Sequence, residues 1–239
     1  MRLIQASTLK LPEFLGQDIP PYAIFSHTWG EDEASYHQFY DPNTHGLARF
    51  DKIKQCCALA RKDGLDYVWV DTCCIDKSSS AELTEAINSM YHWYQSSQLC
   101  YVFLSDMNKR ESIHVDIMTL KDCRWFQRGW TLQELLAPST VRFFDRDWED
   151  IGNKETMWSF LSRITGIHPE HLWYAQKASI AQKMSWAAGR QTTRIKDTAY
   201  CLLGLFGVNM PLLYGEGDKA FTRLQHEILK SSHDESIFA

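Results

Sequence analysis

Apolar residues along this chain fall into two alternating kinds of run. Four are short, continuous and rich in β-branched or aromatic side chains, at residues 22–26, 66–71, 99–104 and 140–144. Hydrophobicity that is continuous rather than alternating marks strands covered on both faces. Between these runs the apolar positions recur at helical spacing. Over 47–62, Leu47, Phe50, Ile53, Cys57 and Ala60 hold one face, and Gly64 suits the C-terminal end. Over 81–95 the stripe is Leu83, Ile87, Met90, Tyr91 and Tyr94, with Ser79 and Glu82 spaced as a capping box. A third helix is expected across about 122–136, stopping before Pro138. Strands alternating with helices of this length predict βαβ units and an α/β fold, a mostly parallel sheet flanked by helices.

Beyond about residue 147 the pattern is helical alone. Residues 154–164, 179–188, 195–206 and 219–230 each read as a helix, punctuated by Gly207 and the Gly215/Gly217 pair. No strand signal of comparable quality follows. In 195–206, Ala199, Leu202, Leu203 and Phe206 recur at helical spacing, so that face is expected to be buried. No Pro/Gly/Ser linker divides the chain. The expectation is a single domain over 1–239, with an α/β core over about 1–147 and a helical C-terminal extension over about 148–239. The chain stops mid-pattern at Ile237-Phe238-Ala239, as expected of a domain cut from something longer.

Composition narrows the function classes. The 239 residues are 44% hydrophobic and 23% charged, ordinary for a globular protein. A net charge of −5 without a basic stripe argues against nucleic acid as a partner. No apolar run approaches the roughly 20 residues that span a bilayer, and the first residues lack a secretory h-region. Seven cysteines without a C-x-x-C argue against a disulfide framework and against a zinc site. A reducing, cytoplasmic compartment is expected, with no metal.

Ligands of a parallel sheet bind beyond the carboxyl ends of its strands. Those ends read Ser26-His27-Thr28-Trp29-Gly30, Asp71-Thr72-Cys73, Ser105-Asp106 and Asp145. Asp145 and Ser105 suit loop residues that satisfy helix N-termini. Ser26, His27 and Trp29 suit a binding site, Trp29 being able to stack on a flat ring; a purely structural loop is the alternative. A second cluster runs from Arg124 to Leu135. If Trp130 is helical, Glu134 stands one turn further on the same face. A carboxylate beside an aromatic face in a dry crevice can meet an oxocarbenium-like cation. Spacing by itself favours the structural role, with Trp130 in the core and Glu134 paired to an arginine. Arg124 and Arg128 each suit a phosphate or a carboxylate. Walker, dinucleotide-fingerprint, nucleophile-elbow and zincin motifs are absent from the sequence.

Five segments resemble fungal HET (heterokaryon incompatibility) domains. They are YAIFSHTWG at 22–30, VWVDTCCID at 68–76, RGWTLQE at 128–134, RIKDTAYCLLGLF at 194–206 and YGEG at 214–217. The resemblance covers nearly the whole chain and implies an effector of programmed cell death. Cys73-Cys74-Ile75-Asp76-Lys77 departs from the family's usual Leu-Cys-Ile-Asn/Asp-Gln. The segments look most like HET domains that precede a STAND nucleotide-binding module and WD repeats, which implies those partners, and self-association, in a longer chain. HET domains in turn resemble TIR domains, implying a TIR-like (flavodoxin-like) core. In NAD-cleaving TIR domains a helix carries Trp-Cys-x-x-Glu with a catalytic glutamate. Trp130-Thr131-Leu132-Gln133-Glu134 matches that spacing, with Thr131 in place of the cysteine. The resemblance thus implies Glu134 as the catalytic residue and NAD, or a related nucleotide, as substrate, with no cofactor. Phe25, Ser26, His27, Trp29, Gly30, Asp71, Arg128 and Trp130 are then the expected substrate-binding residues. The alternative is a non-enzymatic signalling module that triggers death through homotypic assembly.

Overall fold

A computed structural model describes residues 1–108, 117–213 and 215–238. Its single sheet has six strands: β1 (Ile4–Gln5), β2 (Ala23–His27), β3 (Tyr67–Val70), β4 (Leu99–Phe103), β5 (Val141–Phe144) and β6 (Asp150–Asn153). Their order is β1-β3-β2-β4-β5-β6. The four predicted runs are the four central strands, and these are parallel. Both edge strands are antiparallel, so the α/β sheet is mixed and the mostly parallel expectation fails at its margins. Neither edge strand offers an apolar run. β1 has two residues, and β6 reads Asp-Ile-Gly-Asn, a composition depleted in strands. β6 also falls inside the region expected to be entirely helical. It returns to the sheet through a tight turn that Asp145 builds, its buried carboxylate accepting the Asp147 and Glu149 N–H groups at 2.9 Å each.

Helices α1 (Tyr36–Phe39), α2 (Asp51–Lys62), α3 (Asp71–Cys74) and α4 (Ser80–Ser96) precede β4. α5 (Ile117–Asp122), α6 (Arg124–Gln127) and α7 (Thr131–Leu136) precede β5. After β6 come α8 (Trp158–Thr165), α9 (Pro169–Trp173), α10 (Ile180–Ala188), α11 (Asp197–Tyr200), α12 (Leu203–Phe206) and α13 (Lys219–Ser231). Ser79 caps α4 by accepting the Glu82 N–H, but only half of the expected box forms. The Glu82 carboxylate turns instead to the Asp76 N–H at 2.7 Å and to Arg2, whose Nη2 lies 2.9 Å from Oε2.

Two expected helices are broken. The run 122–136 divides because residues 127–129 pair with Gln191 rather than continuing the turn. Gln191 donates its N–H to the Gln127 carbonyl at 2.7 Å and accepts the Gly129 N–H at 2.8 Å, leaving Arg128 extended. The run 195–206 divides after Tyr200, and the second piece seats Gly204 directly on α4, where a Cβ would lie 2.0 Å from that of Tyr91. Leu205 is thereby buried and Phe206 only half-buried, which corrects the face expected for the latter.

Candidate functional site

Numbered among themselves, the four parallel strands lie in the order second, first, third, fourth. The connection therefore reverses direction between β2 and β4, the position at which doubly wound sheets take their ligands; here Ser26 and Glu134 are buried at that point. Ser26 occupies that end of β2. Its hydroxyl accepts the Trp125 indole N–H at 2.7 Å and donates to the carboxyl of Glu134 on α7. The Tyr94 hydroxyl of α4 makes a second hydrogen bond to the same carboxyl. Glu134 is 8% exposed, in a helix buried at all six positions.

Side chains alternate along a strand, so Phe25 and His27 face away from Ser26 and Glu134. His27 stacks on Phe25 at 4.5 Å, and Phe25 stacks on Trp148 at 5.6 Å. His27 Nε2 lies 3.4 Å from Glu33 Oε2. Glu33 also accepts the Gly30 N–H at 2.7 Å and pairs with Lys52. Burial opposes its charge, yet His27, Gly30 and Lys52 outweigh burial and hold the carboxyl down at about 2. Glu33 thus anchors the loop after β2 from the opposite side of the sheet.

That loop presents Trp29, which is 43% exposed. Its indole N–H donates to Asp71, the first residue of α3, at 2.9 Å. Lys77 Nζ stands 3.6 Å from the ring centroid, and Arg124 reaches the Trp29 carbonyl at 3.3 Å. Arg128 donates to Thr193 Oγ1 at 3.2 Å, while the Trp130 indole bonds Asp197. The turn entering α7 is fastened from behind by Arg190, which donates to the Arg128 carbonyl and to Thr131 Oγ1 at 3.0 Å each.

Burial dominates the electrostatics of Glu134. It pushes the carboxyl up to about 8, with Asp71 adding repulsion and with Ser26, Tyr94 and Arg128 opposing. Glu134 therefore holds a proton at neutral pH and sits poised close to physiological pH, as general acids and bases do. Ser26 contacts Glu134 directly, and the charges of Asp71 and Arg128 act on it; Trp29 meets Asp71 on the exposed loop, Trp130 meets Asp197, and Phe25 and His27 face the other side of the sheet. Sequence reasoning did not assign Trp125, Tyr94, Glu33 or Arg190. Tyr94 carried one usable signal, a hydroxyl within an apolar helical stripe, which needs a partner once buried. Glu216, held by Arg223 at 3.0 Å and by Tyr200, belongs to the packing of α11 and α13. Tyr214 lies outside the described residues. No group of described residues could hold a metal ion, and no described helix is long and apolar enough to cross a membrane.

Among known proteins, the family model "Heterokaryon incompatibility protein (HET)" matches residues 22–119, which carry β2, β3 and β4 and stop short of Glu134. Vegetative incompatibility protein HET-E-1 of Podospora anserina is 45% identical over 221 residues, 89% of this chain. The chain spans 16% of the length of that relative. No solved structure matches. A family model that takes in the first three parallel strands, and 45% identity over most of the sequence, establish that the chain belongs to the heterokaryon incompatibility (HET) family.

Proposed function

We propose that this domain is a cytoplasmic effector of heterokaryon incompatibility that kills the cell by cleaving the nicotinamide–ribose bond of NAD. The observation that carries the reading is Glu134: a buried carboxyl beside the sheet's switch point, contacted by two hydroxyl groups and poised near neutrality. In the reaction the C1′–N bond breaks, its electron pair leaves with nicotinamide, and positive charge builds on the ribose. An ionised Glu134 stabilises that charge, and water adds at C1′ to give ADP-ribose, releasing its proton. The nicotinamide ring of NAD is itself cationic, so its binding favours the ionised form of Glu134. Trp29 offers an aromatic face to a base, and Arg124 or Arg128 a cation to phosphate. The strand order supports a TIR-like, flavodoxin-like core.

Glu134 is nearly closed off in the single chain, and self-association is the step we assign to opening or completing the site. In a longer parent protein, a STAND nucleotide-binding module and WD repeats would drive that assembly. The same closure favours a second reading, an assembly module that signals death without chemistry. Nicotinamide release from NAD, measured on the domain fused to an oligomerising tag, separates the two. Wild type should release nicotinamide, and Glu134→Gln should be roughly 100–1,000-fold slower with an unchanged melting profile at pH 5. A mutant with full turnover removes Glu134 from the mechanism, and an inert, oligomeric wild type selects the second reading.

A further inference from the structure

A cleft of about 690 Å³ opens at the C-terminal end of α7, the helix whose side chain Glu134 forms the candidate site. Its floor includes residues 136–139, and its walls carry Tyr91, Trp173, Tyr174 and Phe206. Lys154 and Lys183 line it, and no acidic side chain does among the described residues. Lys154 is 2% exposed, a placement that is costly for an ammonium without a counter-charge. An ammonium has three donors, and the acceptor Lys154 finds is the Pro138 carbonyl at 3.1 Å. Fastening the chain just past α7 accounts for that one bond but not for the remaining donors or for the second lysine. Lys183 stands 5.7 Å from the Phe206 ring centroid, with Asp234 as the carboxylate whose charge reaches it. Burial lowers the basicity of both lysines, that of Lys154 down to about 8, and at Lys183 burial outweighs the opposing charge of Asp234.

We propose that this cleft is a second ligand site that takes a small anionic molecule bearing a planar ring, its phosphate or carboxylate meeting Lys154 and Lys183 and its ring meeting the aromatic wall. The volume suits such a ligand, since small-molecule sites occupy roughly 300–1,000 Å³. Exposed aromatics at the mouth are consistent with stacking, Trp173 being 37% and Tyr174 50% exposed. The inference does not rest on NAD cleavage.

Calorimetric titration of the intact chain with AMP, adenosine and inorganic phosphate tests it. AMP should bind in the millimolar range or tighter, and adenosine and phosphate alone more weakly. Lys183→Glu, on the accessible side, should weaken AMP binding at least about tenfold, as loss of a charged hydrogen bond does; Lys154→Met should do the same if it folds. Trp173→Ala should weaken AMP and leave phosphate unchanged. Leu15→Ala, at an exposed position outside the cleft, should leave AMP affinity unchanged. Undetectable AMP binding, or binding that survives Lys183→Glu and Trp173→Ala, overturns the proposal. So does binding lost on Trp29→Ala alone, which would place the nucleotide beside Glu134.

Discussion

Glu134 is pulled in opposite directions by its surroundings, and the balance sets a measurable pH dependence. Its carboxyl rises from an ordinary 4.5 to about 8 on folding. Between those values the native chain holds a proton that the unfolded chain has released, so stability is fully present below about 4.5 and declines as pH rises towards 8. Glutamine cannot ionise and escapes this loss. Melting curves at pH 5 should therefore nearly coincide for wild type and Glu134→Gln. At pH 8.5 the mutant should be the more stable by on the order of 2–4 kcal/mol. A mutant less stable at pH 8.5 would mean that burial does not dominate at this carboxyl. Turnover should run the other way, rising with pH as Glu134 ionises. At this scale the sequence was legible only in part. The resemblance to NAD-cleaving TIR domains, rather than spacing by itself, singles out the acid, but Ser26 stands 108 positions away, and no local pattern announces that pairing. His27 reads as an equal neighbour of Ser26 in the sequence, yet strand alternation sends it to the opposite face.

Short elements hold the site, and they were the least readable part of the chain. α2, α4, α10 and α13 were evident because their apolar stripes run over several turns. α6 and α7 were fused in the sequence reading because helical periodicity passes straight through Arg128 and Gly129, whereas the chain there pairs with residue 191. Tertiary hydrogen bonds override local propensity at this turn. The turn also leaves no room. A Cβ on Gly129 would lie 2.6 Å from Thr192 Cγ2 and 3.1 Å from Cys201 Sγ. Gly129→Ala should then cost about 1–3 kcal/mol through overpacking. Because the strain falls on the turn that aims α7, nicotinamide release should drop more than the melting temperature predicts. Unchanged stability and turnover in this variant would show that the segment around Gln191 does not position Glu134.

Over the whole molecule, contacts cross the boundary expected near residue 147 between the core and its packed extension. β6 crosses it to join the sheet, and Arg190, Gln191 and Asp197 reach back to the turn before α7. The last turn is bound in as well, with the Ile180 N–H donating to Asp234 at 2.8 Å and the Ala181 N–H to Ser236 at 3.1 Å. The chain should consequently unfold in one calorimetric transition, with equal calorimetric and van't Hoff enthalpies, and residues 1–147 alone should not fold. Two resolved transitions would contradict the single domain expected from the sequence. The α/β class and the order of its principal elements were legible because both-face burial writes continuous apolar runs, whereas margins of two and four residues write almost nothing.

Those margins bear on how copies of this domain can meet. A parallel sheet left bare at its rim would template further strands from neighbouring molecules. Here one rim is a two-residue strand whose outer edge is taken up by backbone bonds from Leu3 to Pro12 and from Gln5 to Lys10, and the other carries Gly152 at φ +132° beside a register shift. Both interrupt the ladder that a fibril would extend. If copies self-associate as proposed, their clusters should dock helix-covered faces rather than add strands. They should leave amyloid dyes dark, fall apart on dilution, and keep each protomer's fold intact.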